Sequence, residues 1–130
     1  MAGNGNFVLD NLLPDKKIVP MIGVMPFGHA TPFGAPVAAG AMNNDALFED
    51  YVTTDVIPTA EAGYRVEPGR QNRAVAGLSM GGGQSLRIGP GHLDLFSAVA
   101  TEGVHDYTVW RKYLAEFTPL LFRQCGERDV

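Results

Sequence analysis

The sequence predicts an α/β fold with about three parallel strands flanked by helices. Three nearly continuous apolar runs, Ile18–Met25, Arg73–Leu78 and Leu95–Ala100, have the character of strands covered on both faces. Segments with helical apolar spacing alternate with these runs, and that alternation builds parallel sheets. A glycine-rich stretch, Gly77 to Gly83, joins the second run directly to a helical segment.

The elements follow in chain order. Phe7, Val8, Leu12 and Leu13 fall at helical spacing and Pro14 closes them, which predicts a short helix over 6–13. The first strand, Ile18–Met25, ends at Pro26. Residues Phe27 to Met42 are rich in Gly, Pro and Ala without a period and read as a loop. Asn43 or Asn44 is placed to cap a helix whose apolar face is Leu47, Phe48, Tyr51, Val52, Val56 and Ile57. Pro58 should kink or end it, with Gly63 near its close. After a polar turn comes the strand Arg73–Leu78, then a helix from Gly81 to about Ile88, then the third strand, Leu95–Ala100. The last helix carries Trp110, Tyr113, Leu114, Phe117, Leu120 and Leu121 on one face, with Asp106 as its cap and Pro119 bending its final turn.

Composition bounds the function. At 130 residues with 45% hydrophobic content the chain makes one small domain, residues 1–130. Charged residues are 18% and the formal net charge is −4, with no basic patch, so nucleic acid is not an expected partner. Cys125 is the single cysteine, which leaves no disulfide framework and no paired-cysteine metal site. The start, Met1 to Gly5, does not read as a signal peptide, and no apolar stretch reaches membrane-spanning length. A soluble chain without membrane attachment is expected, its compartment left open.

The chemistry concentrates at Gly77-Leu78-Ser79-Met80-Gly81, which fits G-x-S-x-G. A strand before it and a helix after it require a sharp turn that holds the Ser79 hydroxyl clear of the sheet. Gly77 and Gly81 lack a Cβ and let neighbouring backbone pass close. The helix start aims N–H groups and the positive dipole end at Ser79, which makes the Met80 N–H a natural oxyanion donor. A glycine-rich turn holding a serine by chance has the same letters; its strand-to-helix setting favours the nucleophile. A serine needs a base. His105 sits in a loop before the last helix and is the favoured candidate. His29 follows the first strand, and His92 has the look of a helix-end residue. Between Ser79 and His105 the carboxylates are Asp94 and Glu102, and neither fits the acid well, so the acid is unassigned.

These residues resemble a known family. Asn72 through Leu86 is similar to the serine segment of the putative-esterase family of α/β-hydrolases, which includes feruloyl and acetyl-xylan esterases, S-formylglutathione hydrolases and mycolyltransferases. Phe7–Leu12 resembles that family's first helix, Pro20–Pro26 its next strand, and Gly103–Arg111 its histidine loop and last helix. The resemblance implies a partial α/β-hydrolase fold, a nucleophile elbow at Gly77–Gly81, Ser79 as nucleophile, His105 as base, and no cofactor or metal. Family members are longer. Their strand with the LHG-type sequence, bearing the second oxyanion donor, would precede Met1, and their acid segment would fall between about Val99 and Glu102.

The expected function is therefore a serine ester hydrolase acting through an acyl-enzyme on small or aromatic esters, with Phe27 and Phe33 as candidate pocket residues. Two other readings stay open: an acyltransferase with the same nucleophile, and a hydrolase remnant serving as a binding or assembly module. The missing central strand leaves sheet edges unpaired, so self-association into a homo-oligomer is expected.

Overall fold

The computed structural model describes residues 4–31, 34, 37–102 and 107–122, with side chains at all of these except 37–43, 102 and 107. Phe33, His105, Asp106 and Cys125 lie outside the described residues.

Two strands, β1 (Ala74–Leu78) and β2 (Ala98–Glu102), pair in parallel, with Ala74 opposite Ala98 and Leu78 opposite Glu102. Helix α4 (Met80–Gly91) is the crossover between them and packs back across both. Gly89 makes that packing close, since a Cβ there would lie 2.1 Å from Val99 Cγ2 and 3.3 Å from Val75 Cγ1. Ile88, one residue earlier, is 1% exposed and joins Phe48, Val52 and Phe96 in the core. The start of the parallel pair is fastened by Arg73. Its guanidinium pairs with Glu61 and reaches the Leu95 carbonyl, while its own carbonyl accepts from the Ser97 N–H at 3.0 Å.

The expected third strand is absent from the described sheet, which has two strands. Residues 19–27 run without ladder partners, so this part of the sequence-based reading is corrected. Pro20 and Pro26 remove two donors. Among the described residues no strand pairs with it, and it forms no ladder with β1. Its apolar character is then left facing solvent: Ile22, Val24, Met25 and Phe27 are 47%, 50%, 56% and 77% exposed, whereas Ile18 at its entry is buried.

The helices depart from expectation in two places. Helix α1 spans Gly5–Leu12, as the spacing indicates. Helix α2 (Val37–Tyr51) begins well before the expected cap, so Asn44 lies inside it rather than at its start. It continues through a π-turn, Val52–Val56, into α3 (Ile57–Gly63). Pro58 explains the widened turn: it has no N–H, and its ring crowds the carbonyl four residues back, so the helix loosens ahead of it and continues. Helix α5 (Tyr107–Phe117) ends in a 3₁₀ turn, Thr118–Leu120, around Pro119. It packs on α1, with Leu114 and Met25 against Gly5. Among the described residues, no helix is long and apolar enough to cross a membrane.

The far end of α4 is tied to α2. Glu49 accepts from Arg87 Nε at 2.6 Å and meets His92 Nε2 at 2.8 Å. The hydrogen bond from Arg87, and after it that from His92, holds the Glu49 carboxyl below its ordinary 4.5. As pH falls, the unfolded chain takes up this proton before the folded one does. The stabilisation is thus complete above about pH 4.5 and fades as Glu49 titrates in the folded chain. Glu49→Gln should lower stability at pH 7 by about 0.5–1 kcal/mol and flatten the acid-side fall. Urea unfolding between about pH 3 and 7 measures both, and equal slopes for the two proteins would contradict the assignment.

Candidate functional site

Between the last residue of β1 and the first of α4 stands one residue, Ser79. It makes the reversal with φ 54 and ψ −115, a conformation rare for a residue with a side chain. Such backbone costs about 1–3 kcal/mol and persists where its surroundings fix it. Three contacts do so here. The Gly83 N–H bonds to the Ser79 carbonyl at 3.0 Å, opening the helical ladder. The buried Ser85 hydroxyl donates to the Gly81 carbonyl at 2.7 Å. That same carbonyl presses on Gly77, where a Cβ would lie 2.0 Å from the Gly81 oxygen and 2.6 Å from the Gly82 nitrogen. Only glycine fits at position 77.

Gly81 differs from the reading made of it. A Cβ at Gly81 meets nothing within 4 Å among the described residues, so the close approach belongs to Gly77 alone. Ser79 itself is half-buried, occupies the N-cap position and makes no side-chain capping bond to the helix it precedes. An ordinary N-cap serine turns its hydroxyl onto the first turn. The N–H groups of that turn, Met80 first, have no partner four residues back within the helix, and they lie at the positive end of its dipole.

Beside this turn lies the loop that follows the unpaired run. Gln84, 4% exposed, donates to the Gly28 carbonyl at 2.8 Å. Asn44, 6% exposed, donates to the same carbonyl at 3.1 Å and accepts from the Ala30 N–H at 2.8 Å. The Met80 methyl packs on Gly28. Two buried amides from two helices thus hold residues 28–30 against the start of α4. Sequence reasoning missed Gln84 and read Asn44 as a helix cap. The one available signal was an amide side chain on each of two otherwise core-facing helix positions.

The histidines separate clearly. His92 is the C-cap of α4, its N–H bonded to the Ile88 and Gly89 carbonyls and its ring engaged by Glu49. The helix has 12 residues, which puts His92 about 18 Å from the serine end. His29 is on the clamped loop, its ring 5.3 Å from that of Phe27. Asp94 sits exposed in the turn after α4, at the end remote from Ser79. Glu102 closes β2, and its side chain is outside the described residues, as is all of His105. Among the described residues, no group of three His, Cys, Asp or Glu is placed to hold a metal ion.

The family described as "Putative esterase" matches residues 8–102, a span that contains the serine turn and stops before His105. A protein of Xylanibacter ruminicola named endo-1,4-beta-xylanase/feruloyl esterase is 36% identical over 88 residues. That alignment covers 68% of this chain and 12% of the relative, so the chain spans a small fraction of the relative's length.

The two turn glycines give opposite expectations. Gly77→Ala should lower stability by about 3 kcal/mol or more, because backbone cannot yield to the new methyl. Gly81→Ala should leave stability unchanged or raise it by up to about 1 kcal/mol, since alanine suits a first helical turn. Chemical denaturation of the two variants side by side checks the contrast.

Proposed function

This chain belongs to the putative-esterase family, and on that premise we propose that it is a serine carboxylic ester hydrolase. The strained one-residue reversal at Ser79, with φ 54 and ψ −115, carries the reading. A hydroxyl held at such a turn, at a helix N-terminus, has the setting a nucleophilic serine needs.

The sheet register supports His105 as the base. Leu78 lies opposite Glu102, so the chain leaves β1 and β2 at the same edge of the sheet, on strands about 4.8 Å apart. His105 is three residues beyond Glu102 and therefore no more than about 11 Å of chain from it. In the proposed reaction Ser79 Oγ attacks the ester carbonyl carbon while His105 accepts its proton. The Met80 N–H donates to the oxyanion. The bond to the alkoxy oxygen breaks, and His105 returns the proton to the departing alcohol. Water then attacks the acyl-enzyme with the same base and frees the acid. Neither step calls on a cofactor. A serine–histidine pair without an identified acid retains part of its catalysis, so activated esters should be the best substrates. The relative's name brings feruloyl esters forward as candidates, and the family resemblance adds acetyl esters. Transfer of the acyl group to another alcohol uses the same nucleophile and differs only in the acceptor.

On p-nitrophenyl acetate, Ser79→Ala and His105→Ala should each reduce the rate at least tenfold, toward the buffer background. A folded wild-type protein that hydrolyses no faster than Ser79→Ala, and that a fluorophosphonate probe fails to label, puts the binding-module reading ahead.

We further propose that the chain self-associates through the unpaired run at 19–25 and the free edge of β1. Three exposed apolar side chains on an extended segment, Ile22, Val24 and Met25, favour it. Sedimentation should show a mass that rises with concentration, and Val24→Lys should weaken association about tenfold. A monomer at every concentration would contradict the proposal.

A further inference from the structure

A cleft of about 450 Å³ opens between the clamped loop and residues of α2 and the π-turn. Its walls are aromatic. Phe27 is 77% exposed, with the His29 ring tilted against it at 5.3 Å, and across from them Tyr51 is 39% exposed and braced by Phe48. Leu47 completes the apolar lining, and Asp50 and Asp55 supply carboxylates.

Three observations mark this as more than surface relief. The loop wall is fixed by Gln84 and Asn44, both over nine-tenths buried, whose side-chain hydrogen bonds all go to Gly28 and Ala30. A site built on a rigid wall loses little entropy when it binds. The charges are also uncompensated. Asp15, Glu49 and Glu61 each meet a Lys or Arg, whereas neither Asp50 nor Asp55 pairs with a cation among the described residues. Finally, large aromatic rings stand exposed around those carboxylates, although burial would stabilise rings of this size.

Faces of aromatic rings attract cations, and carboxylates next to them add Coulombic attraction. An anion is repelled by the carboxylates, and a neutral molecule of the same shape gains nothing from them. From this combination we propose that the cleft binds a small organic ammonium ion, its charge toward Asp50 and Asp55 and its alkyl groups on Phe27 and Tyr51. Phe27 is also an expected pocket residue of the ester reading, but the charge recognition rests on Asp50 and Asp55, which have no role in the proposed acyl transfer.

A matched pair of probes tests it: choline and its neutral isostere 3,3-dimethylbutan-1-ol, titrated into the full chain and followed by amide NMR shifts. Choline should give saturable shifts at residues 27–30 and 47–55, with the isostere at least tenfold weaker. The Asp50→Asn/Asp55→Asn pair should weaken choline at least tenfold, and Phe27→Ala about threefold or more. These are exposed positions, so folding should survive, and unchanged spectra elsewhere verify that it has. The Ser79→Ala protein should bind choline as the wild type does, which separates this result from the fate of the ester assay. Equal binding of the two probes would overturn the proposal, as would linear, unsaturated shifts or choline affinity indifferent to the two carboxylates.

Discussion

The pressure of the Gly81 carbonyl on Gly77 is the contact from which the arrangement of this chain follows. A strand that must become a helix within one residue brings the first helical turn over the strand's last residues. There the chain tolerates no side chain at 77. Once this contact is made, the direction of α4 is set, and the helix is laid along the two strands. Eight residues after Gly81 the same packing recurs at Gly89, against Val99 and Val75. The strain held at Ser79 is therefore offset locally by hydrogen bonds to the Ser79 and Gly81 carbonyls. Along the helix, burial of Ile88 against Phe48, Val52 and Phe96 adds to that.

The two ends of α4 have different physical tasks. Its start is free of acidic or basic side chains and leaves the first N–H groups at the positive end of the helix dipole, a setting that suits an anion. Its end is closed by His92 and anchored on Glu49. The parallel pairing of β1 and β2 then gathers the carboxyl ends of both strands at the end where Ser79 stands. Parallel strands with a helical crossover place their sites there in general. Leu78 and Glu102, as register partners, end at the same edge.

Much of this was legible in the residues. Both observed strands, the helix after the serine and the last helix follow from local signals: buried apolar runs, a glycine turn, apolar spacing at three and four. The strained turn was legible because G-x-S-x-G between a strand and a helix leaves few backbone solutions. What was not legible depends on partners. Ile18–Met25 has the composition of a buried strand, but a strand exists only where another lies beside it, and no local pattern supplies the neighbour. Residues 37–42 are small and aperiodic, and they became helical as an extension of a helix anchored further on, at Phe48 and Val52. Asn44 has the same letter whether it caps a helix or clamps a loop, and only the fold decides which.

The unpaired run raises a question that the clamped loop answers. A two-stranded parallel sheet is marginal alone, and an apolar segment without a ladder should wander. If it did, the loop at its end could not form a fixed wall beside Met80. Here the work of the missing ladder falls to side chains: the Gly28 carbonyl takes two amide donors and the Ala30 N–H finds an amide oxygen. Hydrogen bonds of this kind, shielded from water, hold their geometry well, and each would leave a buried polar group unsatisfied if broken. The carboxyl end of the run is thus positioned independently of the sheet, while its middle remains open for pairing. This combination lets the chain keep a defined surface next to Ser79 even where its sheet is incomplete.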